Sequence, residues 1–173
     1  MVLKGLNKIR RGGFTLVEAA VSMFVIGLVG VGVSSTLAYT LQSVNDSTER
    51  ALAMEAAIQE METVRSVVFT NFTAYFPGGV AGTTLRSGFL INSMPDQIQG
   101  GAPIRRAMGL TEFVTRTSTP DSILVRVTVC YRSVNRIYGE DQNLDGNLDA
   151  GEDANANGIM DSPVQLTSVF VRK

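Results

Sequence analysis

At 173 residues and 18.6 kDa the chain suits one ordinary domain with or without an anchoring segment, and 45% hydrophobic residues exclude global disorder. It has no histidine and a single cysteine, Cys130, which removes the commonest general base and zinc ligand, any CxxC pair and any internal disulfide. Net charge is −1, yet Lys4, Lys8, Arg10 and Arg11 crowd the first 11 residues, while seven of the 16 acids lie between 140 and 161; that suits a targeted protein with an acidic site, not a nucleic-acid binder.

After the basic leader, Ala19 to Val44 contains no charge, and Glu18 is the only charged residue between Arg11 and Asp46. As a helix this run spans roughly 39 Å, enough to cross a hydrocarbon core of about 30 Å. Cations on the N-terminal side alone place residues 1–13 in the cytoplasm and the C-terminal part outside. A secretory signal peptide fits poorly: the apolar run is too long, and no A-x-A site follows it near Ser34 to Tyr39. Glu18 is the anomaly, because a lone carboxylate at membrane depth costs about 2.5–3.5 kcal/mol. By position alone it reads either as an acid at the positive end of the helix dipole or as a group with a partner elsewhere.

Residues 13–18 read Gly-Phe-Thr-Leu-Val-Glu, directly after Arg10-Arg11-Gly12. With the apolar helix behind it, this string resembles the prepilin signal of type IV pilins and type II secretion pseudopilins. The resemblance implies cleavage after Gly13 by a prepilin peptidase, N-methylation of the new terminus Phe14, and a role for Glu18 in neutralising the Phe14 amine of a neighbouring subunit. The physical need is plain, since an unpaired amine in an apolar filament core is a buried charge. Ser35 stands where many major pilins carry proline. Gly27, Gly30 and Gly32 nearby are expected to weaken the helix locally and to permit close helix packing.

The helix is expected to continue outside the membrane. Leu41, Val44, Ala51, Met54, Ile58, Met61, Val64 and Val68 form an apolar stripe at spacings near three and four. Asn45, Asp46, Glu49, Arg50, Gln59, Glu60, Glu62 and Arg65 occupy the opposite face. No proline interrupts Phe14 to Phe76, which allows one helix of about 50 residues ending near Phe69–Phe72. Pro77-Gly78-Gly79 is a turn, with glycine-rich loops through Gly82, Gly88, Gly100 and Gly101. Strands are expected at 110–118, 122–133 and 164–172, with a tight hairpin at Pro120-Asp121. Ile123, Val125, Val127, Val129 and Tyr131 alternate with Leu124, Arg126, Thr128, Cys130 and Arg132, the pattern of a half-buried antiparallel strand laid on the helix. Cys130 reads as a small buried hydrophobe. The fold class is α+β: a long N-terminal helix on a small antiparallel sheet, as in pilins.

Between the last two strands, residues 141–152 place Asp141, Asn143, Asp145, Asp149 and Glu152 at loop positions 1, 3, 5, 9 and 12. Gly146 is at position 6, and Asn147 at position 7 would give its carbonyl. This is the calcium-loop pattern of EF-hands, in which alternate oxygens face one ion. A second copy follows with Asp153, Asn155, Asn157, Gly158 and Asp161, but its twelfth residue is Val164, so its closing carboxylate is missing. The tandem is similar to the repeats of dockerins and thrombospondin type 3 segments.

The domain reading is therefore 1–13 cleaved leader, 14–41 transmembrane and filament-core helix, and 42–173 a periplasmic or extracellular domain carrying the calcium loop. The resemblance implies a structural minor subunit of a type IV pilus in the inner membrane. Its expected partners are other pilin or pseudopilin subunits and a prepilin peptidase, its cofactor is calcium, and no nucleic acid is expected. A type II secretion pseudopilin is the alternative within the class, and a membrane-anchored calcium-binding protein outside any filament is the alternative of another class. No constellation of catalytic groups is evident, so the chain is not expected to be an enzyme.

Overall fold

A computed structural model describes residues 15–70, 84–115, 122–134 and 136–171. Gly13, Phe14, the Pro77-Gly78-Gly79 turn and the Pro120-Asp121 hairpin lie outside these residues. The chain divides into two compact units, residues 1–41 and 42–173.

One helix, α1, runs from Leu16 to Thr70. Thr15 caps it: its hydroxyl accepts the Glu18 N–H at 3.2 Å, and its carbonyl accepts the Ala19 N–H at 3.1 Å. In the first unit Gly27, Gly30 and Gly32 do not interrupt the helix, and an added Cβ on any of them would meet nothing within 4 Å. The expected local melting is absent there: α1 is unbroken through the glycines, and the Ser35 and Thr36 hydroxyls bond back to the Gly32 carbonyl at 2.9 Å each. Val21, Phe24, Ile26 and Leu28 are all exposed, and this helix is long and apolar enough to cross a membrane.

The second unit holds an antiparallel sheet and a separate two-stranded ribbon. The sheet strands are β1 (Thr84–Leu90), β4 (Ala107–Thr115), β5 (Ser122–Ser133), β6 (Arg136–Tyr138) and β7 (Val164–Val171). The ribbon pairs β2 (Gln97–Gln99) with β3 (Ala102–Ile104). Strand β5 is central: β4 flanks it on one side, while β7 and then β6 share the other. The strand expected at 110–118 is found as β4 and starts earlier, at Ala107, because it takes its register from β5, with Ala107 opposite Tyr131 and Thr115 opposite Ile123; residues 116–118 lie outside the described residues. Gly88 belongs to β1, opposite Leu110, and not to a loop; its neighbour Phe89 covers Gly109 on β4.

The packed face of α1 follows the apolar stripe in part: its members Met54, Met61 and Val64 pack on the core, but others do not. Leu41, Val44 and Ile58 are exposed, whereas Ala53, Ala56, Ala57, Met61 and Val64 are buried against Ile123, Val125, Val127, Val129 and Tyr131. Alanines face the sheet because a helix over a flat strand surface comes closest where its side chains are smallest. Asp46, Glu49 and Glu60 lie on the same face and find sheet partners. Asp46 accepts from the Ser133 and Tyr138 hydroxyls, Glu49 pairs with Arg106, and Glu60 accepts from Thr111 at 3.2 Å. These polar contacts set the register of helix on sheet, which apolar periodicity does not encode.

Candidate metal centre

Residues 139–163 leave β6, cross the outer face of the sheet and re-enter it at β7, so strands bracket the loop on both sides. Beneath the loop lies a second apolar cluster of Met108, Leu110, Cys130, Leu144 and Met160, with Ile137 and Leu148 at its margin. Strand β5 is thus buried on both faces: α1 covers one and the loop covers the other. Burial pushes the Cys130 thiol up to about 11, which keeps it protonated and inert at neutral pH.

The twelve-residue sequence repeat folds into a repeated set of hydrogen bonds. Asp141, at the first position, accepts the N–H groups of Asp145 at 3.1 Å and Gly146 at 2.8 Å. Asp153, at the first position of the second copy, accepts those of Asn157 at 3.0 Å and Gly158 at 2.7 Å. The third residues, Asn143 and Asn155, accept from the fifth at 2.9 and 3.1 Å, and the fifth, Asp145 and Asn157, accept from the seventh at 2.8 and 2.7 Å. Backbone conformation repeats as well. Leu144 and Ala156, each at the fourth position, have φ of 58° and 55°, and Gly146 and Gly158 follow at 86° and 71°. Left-handed residues at the fourth and sixth positions turn each loop back on itself, and glycine takes the more positive angle at no steric cost.

The ninth residues complete the pattern. The Asn143 amide donates to Asp145 and Asp149 at 3.1 Å each, and the Asn155 and Asn157 amides donate to Asp161 at 2.7 and 2.9 Å. Those two donors hold the Asp161 carboxyl below its usual range. Asp141 is fully buried; desolvation raises its pKa, opposed by the backbone bonds from Gly146, Asp145 and Leu144, with Glu152 adding like-charge repulsion. Among the described residues no three His, Cys, Asp or Glu side chains converge as a metal-binding group, because each loop carboxylate is turned toward N–H or amide donors.

No cation occurs in the sequence from Ile137 to Val171, so positive charge arrives from the sheet. Arg105 donates to the Leu144 carbonyl at 3.1 Å and Arg86 to the Gly158 carbonyl at 2.6 Å, one arginine for each loop. Arg86 also binds Glu112 at 2.9 Å, and Arg126 binds its other oxygen at 3.1 Å. The Glu112 side chain is only 2% exposed, so a buried carboxylate is held under the second loop between a half-buried Arg126 and an Arg86 that reaches the surface. Sequence reading missed Arg86 and Glu112 on strands and Arg105 between β3 and β4, because isolated charges carry no motif.

The structure brings Asp141, Asn143, Asp145, Asn147, Asp149 and Glu152 into one turn, and Asp153, Asn155, Asn157 and Asp161 into its neighbour. Glu18 lies apart in the first turn of α1; among the described residues its carboxylate has no hydrogen bond or ion pair within the chain. Residues 8–34 match the family described as the prokaryotic N-terminal methylation motif. Neither a curated protein nor a solved structure matches the chain. The motif and the apolar helix together support a membrane-anchored, type IV pilin-like protein.

Proposed function

We propose that this chain is a minor subunit of a type IV pilus, cut after Gly13 by a prepilin peptidase, methylated at Phe14, held in the inner membrane by α1 and then assembled with other pilin subunits. The observation that carries this reading is the methylation motif at 8–34 running into an apolar helix, with the Glu18 carboxylate unpaired among the described residues. A carboxylate in an apolar stretch needs a partner. The methylated amine of a neighbouring Phe14 is the partner the motif supplies. Intact mass of the native protein tests the first step: the expected species lacks 13 residues and carries one added methyl group. Gly13→Val should remain at precursor length in the inner membrane, and normal processing of that variant overturns the reading. Glu18→Ala should insert and fold yet be depleted from sheared filaments. Its recovery with a secretion pseudopilus instead would assign the chain to the type II secretion machinery.

The outer domain is proposed to bind calcium. Its donor set fits a hard cation: carboxylate and amide oxygens with no sulfur or imidazole, arranged on a loop that already turns tightly. Asp141, Asn143, Asp145, Asp149 and Glu152, with the Asn147 carbonyl, would hold one ion, and Asp153, Asn155, Asn157 and Asp161 would contribute to another. The ion would supply positive charge to a segment that has none of its own. Calcium titration of the full chain in detergent micelles tests this, and an unchanged unfolding midpoint with calcium or chelator would sink it.

A further inference from the structure

Two buried side-chain atoms of the unit at 42–173 have no hydrogen-bond partner among the described residues: Oε2 of Glu49 and Nε of Arg132. Glu49 binds Arg106 through its other oxygen. A buried charged group left short of a bond costs free energy, so the two call for opposite kinds of group, a donor at Glu49 and an acceptor at Arg132. Both residues line one cavity of about 250 Å³, whose wall is completed by Asn45, Gln97, Arg106 and Val134. That space far exceeds the roughly 30 Å³ that one water occupies. Two cations and one anion on the wall suit a ligand that carries both signs.

The place of the cavity in the chain points to the ligand. Asn45 directly follows the uncharged run Ala19–Val44, and Glu49 lies one turn further along α1 on the same face. Val134 on the wall is exposed, as are Val44 beside Asn45 and Ile98 beside Gln97. Exposed apolar side chains next to a charged cavity match the bilayer boundary, where acyl chains meet headgroups. Resting on the membrane anchoring of the chain and not on its assembly into a pilus, we propose that this cavity holds the headgroup of a membrane phospholipid of the ethanolamine type. Its phosphate would accept from Arg132, and its ammonium would donate to Glu49. That carboxylate would then sit between two cations, as Glu112 does between Arg86 and Arg126. A choline headgroup has the phosphate but no N–H for Glu49, and a glycerol headgroup brings a hydroxyl but no cation.

The test is native mass spectrometry of the full chain released from nanodiscs with equal parts of phosphatidylethanolamine, phosphatidylglycerol and phosphatidylcholine. Wild type should retain one ethanolamine lipid about tenfold over either of the others, a ratio within reach of one hydrogen bond between charged groups. Arg132→Gln should lose the bound lipid, and Glu49→Gln should lose the preference for ethanolamine over choline. Arg136→Gln, at an exposed position outside the cavity wall, should retain lipid as wild type does. The tyrosine near-ultraviolet signal reports the fold of each variant. If Glu49→Gln does not fold, Arg132→Gln decides, since it breaks no side-chain bond among the described residues. Equal retention of the three lipids, a preference for glycerol or choline, unchanged retention in Arg132→Gln, or equal loss in Arg136→Gln overturns the proposal. Free phosphoethanolamine bound as tightly as the lipid assigns the cavity to a soluble compound and overturns it as well. A chain that stays in the aqueous phase without detergent overturns the anchoring itself.

Discussion

The two faces of β5 are covered by chain of opposite character. On one, Val125, Val127 and Val129 meet Ala53, Ala57 and Met61 of α1, and apolar burial closes the contact. On the other, Arg126 and Cys130 lie under an acidic loop that packs Leu144 and Met160 inward. The helix face needs nothing beyond its own side chains. The loop face keeps its carboxylates in place with backbone N–H groups, two arginine contacts and, on the proposed reading, a cation. The difference teaches that one strand can be built half by the hydrophobic effect and half by charge neutralisation. The two halves should then respond to different perturbations.

The largest expected effect is on the ion pairs of the loop face. Glu112→Ala removes the buried carboxylate that Arg86 and Arg126 share and should destabilise the domain by about 3 kcal/mol, the low end for breaking a buried pair, because the Arg86 and Arg126 side chains are 42% and 15% exposed. Urea unfolding followed by the tyrosine near-ultraviolet signal measures it. A loss below roughly 1 kcal/mol would place Glu112 with solvent-screened surface pairs instead.

Calcium comes next. At a hundredfold excess over the dissociation constant one ion should add about 2.7 kcal/mol by linkage. That gain should vanish on chelation and shrink in Glu152→Ala. Amides of the loop should gain protection from exchange, and those of α1 facing the sheet should change least.

On the helix face, Ala57→Leu should cost about 1–3 kcal/mol by overpacking a fully buried position. Gly30→Ala, in the exposed apolar stretch, should leave the unfolding midpoint of the unit at 42–173 unchanged. Equal effects of the two variants would contradict the packed face assigned to α1.

The smallest effect is kinetic. With its thiol pushed up to about 11 by burial, Cys130 forms little thiolate below that pH. The raised value means that the neutral thiol favours the folded state. That contribution is present below the unfolded value near 9 and is lost as pH rises through 11. At pH 8, alkylation by iodoacetamide should therefore follow unfolding, and calcium should slow it, because the loop is the lid over Cys130. Rapid labelling of the folded chain would show that the loop face opens independently of the core.

Much of this was legible in the sequence. The central strand emerged from strict alternation at 122–133, and β7 from a short β-branched run, because period two is a local property of the chain. The acidic loop emerged from oxygen spacing and glycine placement, which are also local. Strand β1 did not, since Gly88 and Ser87 have weak strand preference and pair only because β4 offers an edge. The helix face was read only in part: Met54, Met61 and Val64 pack as the stripe implied, but Asp46, Glu49 and Glu60 are polar in sequence yet turn toward partners on the sheet side, while Leu41 and Ile58 stay exposed.

Sequence by itself determined the N-terminal methylation motif, a helix of membrane-spanning length and the paired twelve-residue loops, all of which depend on residues within about one helix turn or one loop of each other. Only the tertiary structure decided which helix face is buried, that Arg86 and Glu112 pair beneath the second loop, and that Glu140 accepts the N–H groups of Ala154 and Asp161. Those contacts join residues far apart in the chain. Hydrogen-bond and ion-pair energies depend on distance in space, and no local pattern of residue types specifies that distance.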